Sequence, residues 1–241
     1  METKFTVVNY DQRASGKSYH FFEDYSNLST DLLVKDLLDM TDYISARLGK
    51  KKVILIGHSF GTYIAMQATY KAPEKYEAYI GIGQMGDTDD VLYLQGLTKE
   101  IKNGNMYTPR PYVIKYGGAS RLIDDPDNNS IDFLFSSEYN LLDVICYDYG
   151  ISLSQKILLK DLLENPLPNI VTKLKLPCYF IMGKYDYMTS SSAAKKYFDI
   201  IKTDKKEFIV FEQSAHYPQF KEKEKFNKWQ APTPCTKIGS Y

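Results

Sequence analysis

Three residues of this 241-residue chain have types and positions suited to acyl transfer: Ser59, Asp186 and His216. A serine hydroxyl becomes a nucleophile when an imidazole takes its proton, and a carboxylate can hold that imidazole in one tautomer and stabilise its charged form. The chain order Ser, Asp, His is the order expected of a nucleophile, its acid and its base on a parallel sheet. An isolated His216 or Asp186 would be an ordinary loop or turn residue, so the prediction depends on all three together.

The residues around Ser59 predict a strand, a sharp turn and a helix. The run VILI at 53–56 is typical of a buried strand, and the residues after GHSFG have a helical apolar spacing. Gly57 and Gly61 are expected to lack side chains so that strand and helix can pass closely, and the Phe60 amide at the helix start is expected to bind an oxyanion. This is the G-x-S-x-G nucleophile elbow. The alternative is a glycine-rich turn with a spare hydroxyl.

The elements that must position these residues alternate between strand and helix. A helix is predicted over STDLLVKDLLDMTDYISARLG, capped near Ser29 or Thr30 and closed by Gly49, and another over SSSAAKKYFDII. About five segments predict buried strands: KFTVVNY, KVILIG, YEAYIGIG, PCYFIMG and EFIVFE. The alternation predicts an α/β fold with a mostly parallel, doubly wound sheet. Because the carboxyl ends of parallel strands meet at one edge, Ser59, Asp186 and His216 are expected to converge there.

The stretch from about Asp87 to Asn165 has a different pattern. It mixes short helical runs, such as VLYLQGLTKEIK and ISLSQKILLKDLL, with the polar loop IDDPDNNS. We therefore predict an α/β core from 1–86 and 166–241, with a helical cap at 87–165 that walls the pocket above Ser59 and selects substrate.

Composition excludes several classes of function. Thirty basic and thirty acidic side chains cancel, which argues against nucleic acid or an anionic membrane surface as partner. Cys146, Cys178 and Cys235 have no metal-type or redox spacing, and Cys178 is expected to be a buried thiol. A reduced, cytoplasmic setting is predicted, with no cofactor, no metal, no membrane span and no signal peptide.

The chain resembles the α/β-hydrolase superfamily, specifically the proline iminopeptidase-like (prolyl aminopeptidase) branch of capped serine hydrolases. The resemblance rests on VVNYDQRASGKS, GHSFGTYIAMQATYKAPEKY, GKYDYMT and FEQSAHYPQFKEKEKF, and it extends from about Phe5 to Phe226. It implies the nucleophile, acid and base roles for Ser59, Asp186 and His216.

The chain differs from this branch at two places. The first is a turn in which the resemblance implies structural roles for Asp11 and Arg13, and where Ala14 replaces the usual glycine. At the elbow, prolyl aminopeptidases tend to have GGSWG, whereas this chain has His58 and Phe60. Our own interpretation of His58 is that its ring packs or forms a hydrogen bond.

Three functions remain open from the sequence. The first is an aminopeptidase-like serine hydrolase that acts on short peptides or N-terminal residues through an acyl-enzyme; Glu138, Asp143 and Asp148 are available to bind a free α-amine. The second is a carboxylesterase or general acyl hydrolase of small molecules. The third is a non-catalytic, truncated fragment of such an enzyme.

The third possibility comes from strands that the resemblance implies and the chain lacks. The superfamily's strands have the order 1-2-4-3-5-6-7-8, and KFTVVNY aligns with strand four, so strands one to three have no counterpart. The loop that supplies a second oxyanion donor is absent with them. Toward the other end, KWQAPTPCTKIGSY has no helical period. A truncated gene copy with weak stability and impaired activity is therefore expected.

Overall fold

The computed structural model describes residues 5–86 and 139–229. Their helices and strands are, in chain order, α1 (Thr30–Leu48), β1 (Val53–His58), α2 (Phe60–Lys71), β2 (Tyr76–Ile82), α3 (Leu141–Glu164), α4 (Leu167–Ile170), β3 (Cys178–Gly183), α5 (Ser191–Ile200), β4 (Lys206–Phe211), α6 (Pro218–Lys221) and α7 (Lys223–Lys228). The described residues form two compact units. One contains those up to Met40 together with 139–165, and the other contains Thr41 to 86 together with Pro166 onward.

The larger unit is built on a parallel sheet of four strands in the order β1-β2-β3-β4. β3 lies inside the sheet and is buried at every position, as its run of large apolar residues predicts. One face of the sheet packs into a cluster of buried side chains: Ala78, Ile80, Ile82, Tyr179, Ile181, Phe211 and Phe226. The predicted α/β fold with a mostly parallel sheet is confirmed.

The predicted strand KFTVVNY is wrong over its described residues, 5–10, which form no strand. The sheet of the described residues therefore has four strands where about five were expected. Phe5, Val7 and Val8 are 39–45% exposed. An apolar run becomes a strand only when a neighbouring strand takes its backbone hydrogen bonds, and the run alone does not show whether that neighbour exists.

The helices predicted over STDLLVKDLLDMTDYISARLG and SSSAAKKYFDII are confirmed as α1 and α5. The Ser29 hydroxyl accepts from the Leu32 amide at 3.2 Å, and Gly49, with φ of 61°, ends α1. The helical run ISLSQKILLKDLL, predicted after residue 138, is part of a longer helix, the 24 residues of α3. Most of the predicted cap, 87–138, lies outside the described residues, so the division at 87–165 stays a prediction.

The smaller unit contains the turn at 11–18. The Asp11 carboxylate accepts from the Lys17 amide at 2.9 Å and from the Tyr139 hydroxyl at 3.1 Å. Arg13 makes a bidentate pair with Asp36 of α1 at 2.7 and 2.8 Å, and Ala14 is fully buried. Ala14 has φ of 60°, a left-handed conformation that explains why relatives are expected to have glycine there.

None of the described helices is both long and apolar enough to cross a membrane.

Candidate active site

Ser59 occupies the turn between β1 and α2 in a strained backbone conformation. Its φ of 53° and ψ of −125° are rare for a residue with a side chain. Three backbone contacts hold it there: its amide donates to the Ile82 carbonyl at 3.0 Å, and its carbonyl accepts from the Thr62 hydroxyl at 2.7 Å and amide at 2.9 Å. The predicted strand, sharp turn and helix are therefore present, with Ser59 at the turn.

The two elbow glycines differ in what their positions require. A Cβ on Gly57 would lie 2.7 Å from the Gly61 carbonyl oxygen and 2.8 Å from Thr62 Cα, so a side chain there would push β1 and α2 apart. No described atom lies within 4 Å of the place that a Cβ on Gly61 would take. The steric reason predicted for Gly57 is confirmed, and the one predicted for Gly61 is wrong. It is the backbone of Gly61, not its missing side chain, that makes the close approach.

Phe60 is the first residue of α2. The amides of a helix's first turn have no acceptor within the helix, and they carry the positive end of its dipole. The Phe60 amide is thus chemically suited to bind a developing oxyanion beside Ser59.

Asp186 and His216 form a buried pair in the same compact unit as Ser59. His216 Nδ1 lies 2.9 Å from Asp186 Oδ2, and each residue is 2% exposed. Asp186 follows β3 and His216 follows β4, so both lie at the carboxyl ends of parallel strands, as Ser59 does after β1. The sequence prediction that these two residues meet is confirmed by this contact.

The carboxylate of Asp186 accepts from four donors. Oδ1 accepts from the amides of Met188 and Thr189 at 2.9 and 3.0 Å, and Oδ2 accepts from the Thr189 hydroxyl at 3.0 Å as well as from His216. Thr189 Oγ1 is also 3.4 Å from His216 Nδ1. Thr189 was not predicted; the local contact typical of a turn aspartate is the one to the Met188 amide, two residues further on.

The loops that carry Asp186 and His216 are joined by backbone contacts. The amide of Tyr185 donates to the Ser214 carbonyl at 3.0 Å. A Cβ on Gly183 would overlap the carbonyl oxygen of Ala215. The side chain of Glu222 accepts from the Ser214 hydroxyl at 2.6 Å. These contacts hold residues 214 and 215, which directly precede His216, against the loop that carries Asp186.

Gly83 lies against the imidazole of His216. It follows β2 with φ of 56°, and a Cβ there would be 3.0 Å from His216 Cε1 and 3.2 Å from Thr189 Oγ1. Sequence reasoning missed this residue. Its only signal was a glycine at the end of an apolar strand, YEAYIGIG.

His58 is the second imidazole of the site. Its Nε2 is 2.9 Å from the His216 carbonyl oxygen, and its ring centroid is 4.8 Å from that of His216 and 5.2 Å from that of Tyr217. Burial, followed by the charge that His216 can carry, lowers the pKa of His58 to about 4. The prediction that this ring packs or forms a hydrogen bond is confirmed.

The three acidic residues that the sequence offers for amine binding are not shown together at a substrate site. Asp143 accepts from the Asn140 amide at 2.9 Å and so closes the N-terminal capping box of α3. Asp148 is exposed on the same helix, and Glu138 lies outside the described residues. Across the described residues, no group of three or more His, Cys, Asp or Glu side chains could hold a metal ion.

Comparison with known proteins identifies the family. The profile of the hydrolase family described as serine aminopeptidase, S33, matches residues 1–139, which is more than half of the chain. The chain belongs to the serine aminopeptidase S33 family. The Probable aminopeptidase YbaC of Bacillus subtilis is 26% identical over 248 residues, which cover 92% of this chain and 77% of that protein.

Solved structures of this family's fold are similar at low identity. Est816, an N-acyl homoserine lactone degrading enzyme, has a TM-score of 0.64 at 16% identity over 90% of this chain and 78% of its own. An esterase from Thermogutta terrifontis has a TM-score of 0.59 at 15% identity over 90% of this chain and 75% of its own. These likenesses confirm the α/β-hydrolase fold. The proline iminopeptidase branch and the loss of the first three strands stay predictions.

Proposed function

We propose that this chain is a serine hydrolase that uses Ser59, Asp186 and His216 as nucleophile, acid and base. The observation that carries the proposal is the buried contact of His216 Nδ1 with Asp186 Oδ2 at 2.9 Å, in the compact unit that also holds the strained Ser59. A strained serine between a strand and a helix costs stability, and such residues cluster at active sites.

The proposed mechanism follows from which nitrogen Asp186 holds. With Nδ1–H donating to Asp186, the Nε2 lone pair of His216 is left to take the proton of the Ser59 hydroxyl. The Ser59 oxygen attacks the substrate carbonyl, and the Phe60 amide donates to the oxyanion that forms. His216 then gives its proton to the leaving group. Water next attacks the acyl group while His216 takes a proton from that water, and His216 finally gives the proton to the Ser59 oxygen as the acid leaves.

We further propose an aminopeptidase-like substrate class, namely short peptides or N-terminal residues. Membership of the serine aminopeptidase S33 family and the likeness to an aminopeptidase-named relative support this choice.

The described cysteines, Cys146 and Cys178, are free and buried, which supports the expected cytoplasmic setting.

The substrate class is tested with matched chromogenic substrates and the full chain. We expect hydrolysis of alanine- and proline-p-nitroanilide, loss of that activity when the α-amine is acetylated, and none in Ser59→Ala. Hydrolysis of p-nitrophenyl acetate or butyrate that depends on Ser59, without amide cleavage, would replace the aminopeptidase by a carboxylesterase. No Ser59-dependent turnover of either kind, in a folded chain, would favour the non-catalytic alternative.

A further inference from the structure

The nucleophile's strand and the base's loop are tied together by a side chain that the mechanism above does not use. His58 is the last residue of β1 and directly precedes Ser59. Its Nε2 reaches the carbonyl oxygen of His216, which lies 158 residues further along the chain, at 2.9 Å. The contact therefore joins the neighbour of the nucleophile to the backbone of the base.

The partner decides which tautomer His58 has. A carbonyl oxygen only accepts hydrogen bonds, so Nε2 must carry the hydrogen and donate it. Since burial lowers the pKa of His58 to about 4, Nδ1 is unprotonated and the ring is neutral at neutral pH. The groups that face it are the imidazole of His216, the ring of Tyr217 and, further away, the carboxylate of Asp186.

The neutrality of His58 matters because the neighbouring His216 must become positively charged during catalysis. A charged His58 with its ring centroid 4.8 Å away would oppose that step by like-charge repulsion. A neutral donor instead holds the His216 backbone without competing for the proton. The side chain of His216 is then held on one side by Asp186, and its main chain by His58.

We propose that His58 is a positioning residue that sets the distance between Ser59 and His216 through its hydrogen bond to the His216 carbonyl. The inference rests on the proposed function, because it assigns to His58 the alignment of the proposed nucleophile and base. The alternative role for His58 is a ring that only fills space beside Tyr217. A space-filling ring would be replaceable by phenylalanine, whereas a donor would be replaceable by glutamine, whose Nε2 can reach a similar point.

The variants His58→Phe and His58→Gln divide these two roles, and His20→Phe and His20→Gln are matched controls at an exposed histidine of the other compact unit. We expect His58→Phe to lower kcat, and the rate at which a fluorophosphonate labels Ser59, by about tenfold or more, since small misplacements of catalytic groups are costly. KM should stay within about twofold, because the described contacts of His58 are with the His216 loop. His58→Gln should recover most of the loss, and both His20 variants should match the wild type.

Equal labelling rates for wild type and His58→Phe would overturn the inference and leave the proposed function standing. A wild-type chain that is folded but not labelled at Ser59 would overturn both. Independently of activity, ¹⁵N spectra of the wild-type imidazoles should show His58 neutral and protonated at Nε2 from pH 5.5 to 8, its signals assigned by their loss in His58→Gln. A His58 that is protonated at Nδ1, or charged at pH 6, would also overturn it.

Discussion

Replacing Gly83 by alanine tests whether the imidazole of His216 is held where the structure places it. The new Cβ would lie 3.0 Å from His216 Cε1, 3.1 Å from Nδ1 and 3.2 Å from Thr189 Oγ1, so these groups must move by a few tenths of an ångström. His216 cannot rotate freely to make room, because Nδ1 is bound to Asp186. The displacement therefore changes the position of the base relative to Ser59.

The size of the effect has a backbone part and a site part. A side chain at φ of 56° costs about 1–2 kcal/mol, and the loss of chain entropy in the unfolded state returns about 0.4–1 kcal/mol. Gly49→Ala has the same backbone part, at φ of 61°, and no atom of the described residues lies within 4 Å of its new Cβ. Both variants should therefore lose about 1 kcal/mol of unfolding free energy through this backbone part.

Only Gly83→Ala should also lose activity, by about tenfold to a hundredfold in kcat. The assays are urea unfolding and steady-state kinetics on the best substrate, run on both variants and the wild type. A Gly83→Ala chain with wild-type kcat would show that the position of the His216 ring is not critical, since the base would then tolerate a shift at its face. Equal activity losses in both variants would count against that role as well, because strain alone would then account for the effect.

Three further predictions follow from the same region. Thr189→Val should cost about 1.5–3 kcal/mol in urea unfolding, because a buried carboxylate loses its hydroxyl donor; an unchanged midpoint would contradict this. Gly57→Ala should lose about 1–3 kcal/mol by overpacking, whereas Gly61→Ala should be neutral or stabilising, and the reverse order in thermal melts would be inconsistent with the elbow. His58 has a pKa of about 4 when folded and about 6.5 when unfolded, so below pH 6.5 the unfolded chain binds the extra proton. The wild type should then lose up to about 3 kcal/mol more than His58→Gln between pH 6.5 and 4 in denaturant titrations, and parallel curves would contradict it.

The sequence was sufficient to predict the helices and strands that are determined by local composition and capping residues. β3 is apolar at nearly every position and is buried, and α1 has both its Ser29 cap and its closing Gly49. The elbow was predictable because glycines and a serine between a strand and a helix leave few other conformations. The meeting of Asp186 with His216 followed from strand order, since both come directly after parallel strands.

What was missed depends on contacts between distant parts of the chain. Nothing local to His58 indicates that its partner is the carbonyl 158 residues away, and nothing local to Gly83 indicates that an imidazole lies where its Cβ would be. The segment 5–10 was predicted as a strand because its composition is apolar, but pairing is a property of two segments and cannot be inferred from one. Gly61 was assigned a steric role because the motif contains it, while the structure gives that role to Gly57.

Active-site labelling tests whether Ser59 is the nucleophile. The folded wild-type chain is treated with a fluorophosphonate, and the modified residue is located by peptide mass spectrometry beside a Ser59→Ala control of matched thermal stability. We expect one adduct per chain, on Ser59, and none in the control. A folded chain that takes no adduct, or takes it on another residue at the same rate in both proteins, would show that Ser59 is not the nucleophile.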